Sequence, residues 1–292
     1  MDAQNITRPD GRRVAFDVHG PPDGPVVLLC HAAPGSRRFD PDPAATTAAG
    51  VRLVTVDRPG YGGSDPLSRG IVPTIPVHAD DAAAVLDHLG VRSAVLAGWS
   101  AGGRVAAALA AARPDLATAM FLIATPAPDD DVPWVDDAYR PAIAAMRAAP
   151  ADAVDLMVAN LTAAVGGDEG GDGAGDATVL VTGGPADEAA LAADVALRDR
   201  VVAMVAEAMA QGPVGAAADI VAYTVADWGF DPAAIGAPTT CVYGADDTLV
   251  PAAHGEWWAA RIPAARVEVV DAAGHLVVVP AWPRVLAAAR PT

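Results

Sequence analysis

Residues 98–102 read Gly-Trp-Ser-Ala-Gly, between the apolar run Ser93 to Ala97 and the Ala-rich stretch Val105 to Ala112. A serine stands where a strand turns into a helix, flanked by residues small enough for a very tight turn. Few architectures can hold such a turn. It forces the serine into strained backbone, and side chains at Gly98 and Gly102 would collide with the neighbouring strand and helix. Ser100 then stands above a sheet, with a helix N-terminus beneath it and the Ala101 amide facing any negative charge that develops there. The chain has five serines, Ser36, Ser64, Ser68, Ser93 and Ser100, and none after this turn, so few others compete as nucleophile.

The segments around the turn alternate between strand and helix. Val14 to His19 has the alternation of an edge strand, and Val26 to Cys30 reads as a buried central strand. Val51 to Val56 is the next strand, followed by the turn-rich Asp57 to Ser64. Val77 to Leu89 has helical spacing ending at Gly90, and Ala117 to Ala124 is another buried strand. Strand character returns at Thr239 to Tyr243 and Arg266 to Val270, with a helix over His254 to Ile262. This order predicts an α/β fold with a mostly parallel sheet covered by helices on both faces. The 292 residues suit a single such domain with an insertion.

From Pro126 to about Asp231 the pattern is helical: Pro133 to Ala148, Ala151 to Val165, Asp187 to Ala210 and Val214 to Ala226, without a convincing buried strand. The expected partition is a core of residues 1–125 and 232–292 and a helical insertion of 126–231. Within it, 166–176 is acidic, rich in glycine and too polar to pack, and is expected to be mobile.

The formal charge of −17 comes from 19 basic and 36 acidic residues, and every basic residue is Arg. That balance argues against nucleic acid and anionic membranes as partners. Between Ala127 and Asp194 there are fourteen acids against Arg140 and Arg147; the bland account is a solvated acidic surface. Met1 to Arg13 has no apolar leader segment, and no apolar run approaches the ~18 residues of a membrane span. The expectation is a cytoplasmic protein. Cys30 and Cys241 fall inside strand-like apolar runs, which favours reduced core thiols over a disulfide or metal site, and no cofactor is implied.

A serine hydroxyl needs a base to take its proton, and the base needs an acid to fix its tautomer. On a strand-turn-helix of this kind the partners follow in the order serine, acid, histidine. Only His254 and His275 lie downstream. His275 follows the last strand on a short loop after Gly274 and is the candidate base; His254, opening an amphipathic helix, reads as a surface or capping residue. The acid should leave the preceding strand, where Asp246 and Asp247 compete; Asp129 is a remote third. A second oxyanion donor is expected after the strand ending at Cys30, in His31 to Ser36, as the amide of Ala33. His31 itself precedes the acid and reads as structural.

These pieces together resemble the α/β-hydrolase-fold superfamily, as a serine-nucleophile hydrolase with a helical cap. The residues that carry the resemblance are His31 to Ser36, Asp57 to Ser64, Gly98 to Gly103, Gly244 to Pro251 and Gly274-His275. It implies an eight-stranded sheet and a cap (lid) formed by the insertion. The superfamily's acid loop commonly reads Gly-x-x-Asp-x-x-Val-Pro, which implies Asp247 as the acid. One departure is Ala32, where the superfamily usually has Gly; a left-handed Ala there would cost about 1 kcal/mol or shift the Ala33 amide. Relatives with an aspartate nucleophile, the haloalkane dehalogenases and epoxide hydrolases, are excluded by Ser100.

The expectation is a carboxylesterase-like serine hydrolase acting on a small ester or amide. Alternatives are a proline-iminopeptidase-like aminopeptidase, in which Asp129, Asp130, Asp131, Asp136 and Asp137 hold a substrate amino group, and an enzyme like the carbon–carbon hydrolases or cofactor-free haloperoxidases. A non-catalytic binding protein of this fold commonly lacks triad members, whereas Ser100, Asp247 and His275 are all present. Trp99, Trp134, Tyr139 and Trp228 are the candidate substrate contacts; Met146, Met157, Met204, Met209 and Phe230 are expected mainly to pack the insertion.

Overall fold

The computed structural model describes residues 4–166 and 177–290. The stretch expected to be mobile therefore lies, from 167 to 176, outside the described residues. Eight strands form one sheet: β1 (Gln4–Thr7), β2 (Arg13–His19), β3 (Val26–Cys30), β4 (Arg52–Val56), β5 (Ala94–Trp99), β6 (Ala117–Ile123), β7 (Thr239–Gly244) and β8 (Ala265–Val270). Their spatial order is β1-β2-β4-β3-β5-β6-β7-β8. The pairs β1/β2 and β2/β4 are antiparallel and the rest parallel.

The helices are α1 (Pro43–Ala49), α2 (Ile75–His88), α3 (Ala101–Ala112), α4 (Arg140–Ala148), α5 (Ala153–Gly166), α6 (Pro185–Ala193), α7 (Val195–Ala208), α8 (Val214–Thr224), α9 (Ala253–Ala259) and α10 (Val278–Ala288).

Successive strand side chains point to opposite faces, so each apolar strand feeds two cores. Leu28, Cys30, Leu96, Leu122 and Cys241 join Leu86 of α2, Leu109 of α3 and Trp258 of α9 on one face. Val27, Leu29, Val95, Ile123 and Val242 join Phe39, Val201 of α7 and Trp282 of α10 on the other. Both faces are thereby covered, and Cys30 and Cys241 are free, buried thiols. A third, small cluster of Met146, Ala153, Met157, Ala217 and Val221 unites α4, α5 and α8.

Four elements differ from the sequence reading, one of them α10, since no helix was expected after His275. β1 pairs with β2 in the register Gln4 to Phe16, although its composition is polar: an edge strand is held by ladder hydrogen bonds and needs no apolar alternation. The short α1 was not expected; Asp42 caps it, accepting from the Ala45 amide at 2.9 Å. The helix expected over 187–210 is two. Asp194 adopts extended backbone and accepts from the Leu197 amide at 2.9 Å, ending α6 and starting α7 as an N-cap.

The register pairs Cys30 with Gly98, Trp99 with Ile123, Ile123 with Val242 and Tyr243 with Val269. The loops leaving β3, β5, β6, β7 and β8 therefore share the carboxyl edge of the sheet. Beside β3 the order reverses, β4 on one side and β5 on the other, which opens a crevice at that edge.

Candidate active site

Ser100 joins β5 to α3 with φ 53° and ψ −124°, one of three non-glycine residues with positive φ among the described residues. Such a conformation costs roughly 1–3 kcal/mol and persists only where its surroundings impose it. Here close packing does so. A Cβ on Gly98 would lie 2.4 Å from the Gly102 carbonyl oxygen, and one on Gly102 would lie 2.2 Å from that of Cys30. Side chains at either position would push strand, helix and the end of β3 apart. Ser100 is the N-cap residue of α3, yet its side chain makes no capping hydrogen bond, so the hydroxyl is not consumed by the helix.

His275 lies just past β8, buried, with its Nδ1 2.8 Å from Oδ2 of Asp247. The other oxygen of Asp247 accepts from the amides of Leu249 and Val250, each at 2.9 Å. A carboxylate fixed in this way accepts a hydrogen bond from Nδ1–H, the tautomer that leaves a lone pair on Nε2. Asp246, by contrast, is exposed. His254 is not the surface or capping residue its sequence suggested. It is buried, its Nδ1 accepts from the Ala127 amide at 3.1 Å, and burial pushes its pKa down to about 4, so it serves as a neutral acceptor.

The main chain of His275 is held from both sides. Its amide donates to Oδ2 of Asp187 at 2.8 Å, the next amide, of Leu276, donates to Oδ1 at 2.9 Å, and its carbonyl accepts from the Trp99 indole at 2.9 Å. Trp99 is fully buried against Phe39, so it supports the histidine loop and does not line an open pocket. Asp187 was missed in the sequence: it is one of fourteen acids between 127 and 194, and nothing local marks the one that turns inward.

The loop after β3 is as firmly held. His31 Nδ1 sits 2.7 Å from the Ala32 carbonyl oxygen, while burial and the Arg58 guanidinium push the His31 pKa well below its ordinary value. Ser36 donates to the Met204 carbonyl of α7 at 2.9 Å. Ala32 is not among the positive-φ residues, so the absent glycine carries no left-handed strain. Cys30, beside this loop, is pushed up to about 12 by burial, so its thiol stays protonated at neutral pH.

The segment between β6 and β7 borders an open cavity of about 620 Å³, lined by Trp134, Tyr139, Ile143, Met157, Leu161 and Ile220 among others. Trp228 sits elsewhere, stacked on Phe230 and Trp258 with ring centroids at 5.9 and 5.4 Å, and under the guanidinium of Arg104. Arg104 is buried, and burial lowers its pKa to about 10. The acids considered for holding an amine already have partners. Asp129 and Asp137 both pair with Arg140 at 2.7 Å, and Asp130 and Asp131 lie 3.6 and 3.5 Å from Arg147 and Arg261. Asp136 accepts from the Ala138 amide at 2.8 Å.

Comparison with known proteins bears on the fold. Residues 25–148 match the family described as alpha/beta hydrolase fold. A hydrolase from Pseudomonas aeruginosa PA01 superposes with a TM-score of 0.68 at 26% identity, over 98% of this chain and 96% of that one. A bifunctional esterase/perhydrolase of Acinetobacter calcoaceticus is 35% identical over 124 residues, 41% of this chain and 44% of that protein. A non-heme chloroperoxidase of Streptomyces lividans is 34% identical over 154 residues, 49% and 55% of the two chains. The chain thus spans about half the length of these curated relatives. The chain has the alpha/beta hydrolase fold.

Proposed function

We propose that this protein is a serine hydrolase that cleaves a small ester or amide through an acyl-enzyme. The observation that carries the reading is the 2.8 Å contact of Asp247 with His275, on the same sheet edge as a serine held at positive φ. Ser100 Oγ attacks the substrate carbonyl carbon while His275 Nε2 takes its proton, and Asp247 stabilises the imidazolium. The amides of Ala33 and Ala101 receive the oxyanion; each such donor is worth about 10²–10³ in rate. Collapse breaks the bond to the leaving group, which departs with the proton from His275. Water then gives a proton to His275 and attacks the acyl carbon, releasing the carboxylic acid and Ser100.

Residues 126–231 act in this reading as a cap on a core of 1–125 and 232–292, an arrangement supported by the separate cluster uniting α4, α5 and α8. Trp134 and Tyr139, on the apolar cavity, contact the acyl part of the substrate. Free, buried cysteines suit a cytoplasmic setting.

One curated relative, the bifunctional esterase/perhydrolase, supports a second fate for the same intermediate. Hydrogen peroxide in place of water, giving its proton to His275 and attacking the acyl carbon, would release a peroxy acid and regenerate Ser100. A fluorophosphonate probe followed by peptide mapping tests the primary reading. The expected result is an adduct on Ser100 in the folded protein, and neither adduct nor hydrolysis of p-nitrophenyl esters in Ser100→Ala. Absence of the adduct in folded wild type overturns it. Peroxy-acid release from ester and peroxide, measured in parallel, decides the second fate.

A further inference from the structure

We propose that Asp219, on α8, is a positioning residue for the oxyanion amide of Ala33, acting through Arg58 from the insertion into the core. The proposal rests on the serine-hydrolase reading above. Arg58, two residues past β4, is buried and divides its donors between two elements. Nη1 donates to the His31 carbonyl at 2.6 Å and Nη2 to the Ala32 carbonyl at 2.9 Å. Nε reaches the two oxygens of Asp219 at 3.0 and 3.1 Å, and Nη2 meets Oδ2 at 2.5 Å.

A trans peptide unit is planar, with C=O and N–H on opposite sides. The carbonyl of Ala32 and the amide of Ala33 belong to one such unit. Holding the carbonyl toward Arg58 therefore aims the amide away from it. Both lone-pair directions of that carbonyl are engaged, one by Arg58 and one by His31 Nδ1 at 2.7 Å, so rotating the plane would break two hydrogen bonds. His31 completes the clamp in the tautomer with the proton on Nδ1, since Nε2 faces the Arg58 amide at 3.4 Å.

Asp219 is in turn over-determined. It is fully buried and accepts from the hydroxyls of Tyr61 at 2.8 Å and Tyr223 at 3.0 Å. The contact between α8 and the loop has no slack: a Cβ on Gly215 would stand 2.5 Å from the Tyr61 ring. The position of α8 thus sets that of the guanidinium, and the guanidinium sets the peptide plane. Stability alone gives little reason for such a pair, because well-packed apolar residues often match or exceed a buried ion pair. What apolar residues cannot supply is a planar fork that grips two carbonyls at a defined angle.

The test uses the full chain with Arg58→Lys, which keeps a cation opposite Asp219 but not the fork, and a charge-neutral Arg58→Met/Asp219→Leu variant as the second arm. Each is measured for melting temperature, for kcat and KM on a p-nitrophenyl ester, and for inhibition by a trifluoromethyl ketone, whose adduct on the serine carries the oxyanion. The expected result in folded variants is a fall of about tenfold or more in kcat and in ketone affinity, with KM within about twofold of wild type. A folded variant that keeps both kcat and ketone affinity within about twofold of wild type overturns the proposal while the hydrolase reading stands. A folded wild type that neither turns over esters nor labels at Ser100 removes the hydrolase reading and this proposal together.

Discussion

Asp246 and Asp247 are neighbours of identical chemistry, and only their surroundings separate them. Asp247 is buried, accepts two backbone amides and faces His275 Nδ1, while Asp246 is exposed. Asp247→Asn keeps an acceptor for those amides but offers an NH₂ or a neutral oxygen to the histidine, which permits the wrong tautomer. Its kcat is expected to fall by about 10³–10⁴, with Asp246→Asn within about twofold of wild type. Steady-state ester hydrolysis by the two variants checks this, and equal losses would refute the assignment. The candidate serine, histidine and acid loop were legible in the sequence because the turn and its order leave few alternatives. Asp187, Arg58 and Asp219 carried no such mark. Their roles come from carboxylates and a guanidinium turned toward partners between 26 and 161 positions away in sequence.

At the scale of elements, apolar periodicity identified seven of the strands and most of the helices. It missed β1, where hydrogen bonding and not burial makes the strand, and it fused α6 with α7, since a single capping aspartate does not interrupt an apolar pattern. Neither could periodicity say which side chains of α4, α5 and α8 pack together and which border space. Met146 and Val221 are buried in the shared cluster, whereas Ile143, Met157 and Ile220 also line the cavity of about 620 Å³. If that cavity receives the acyl chain, Ile220→Trp should shift the preference toward shorter chains. The expected change is about tenfold in kcat/KM for octanoyl relative to acetyl p-nitrophenyl esters, the scale on which pockets discriminate a few methylenes. An unchanged chain-length profile would place the acyl group elsewhere.

For the whole molecule, three histidines set a pH dependence of stability. His31, His78 and His254 are buried, and burial, aided by nearby arginines, lowers the pKa of each; for His78 and His254 it falls to about 4. The unfolded chain protonates these groups near their ordinary value of about 6.5, while the folded state does not. Below pH 6.5 the unfolded state therefore binds more protons, and stability falls as pH falls. Each group contributes roughly 1 kcal/mol between pH 7 and 5.5, about 4 kcal/mol in all at most. Urea unfolding at those two pH values measures it, and equal stabilities would show that other titrations cancel the effect. No helix among the described residues is long and apolar enough to cross a membrane.

The sequence by itself placed a serine turn, a histidine after the last strand and an acid loop before it at one sheet edge. Local spacing and chain order are enough for that, because strand direction carries every such loop to the same side. The tertiary structure decided what no local pattern encodes. It showed that Ser100 is held at positive φ by glycines packed against strand and helix, and that Trp99 props the histidine loop. It also brought an aspartate of α8 to bear on the peptide that precedes Ala33. Those outcomes depend on where buried charge finds a partner, and burial is a property of the assembled fold.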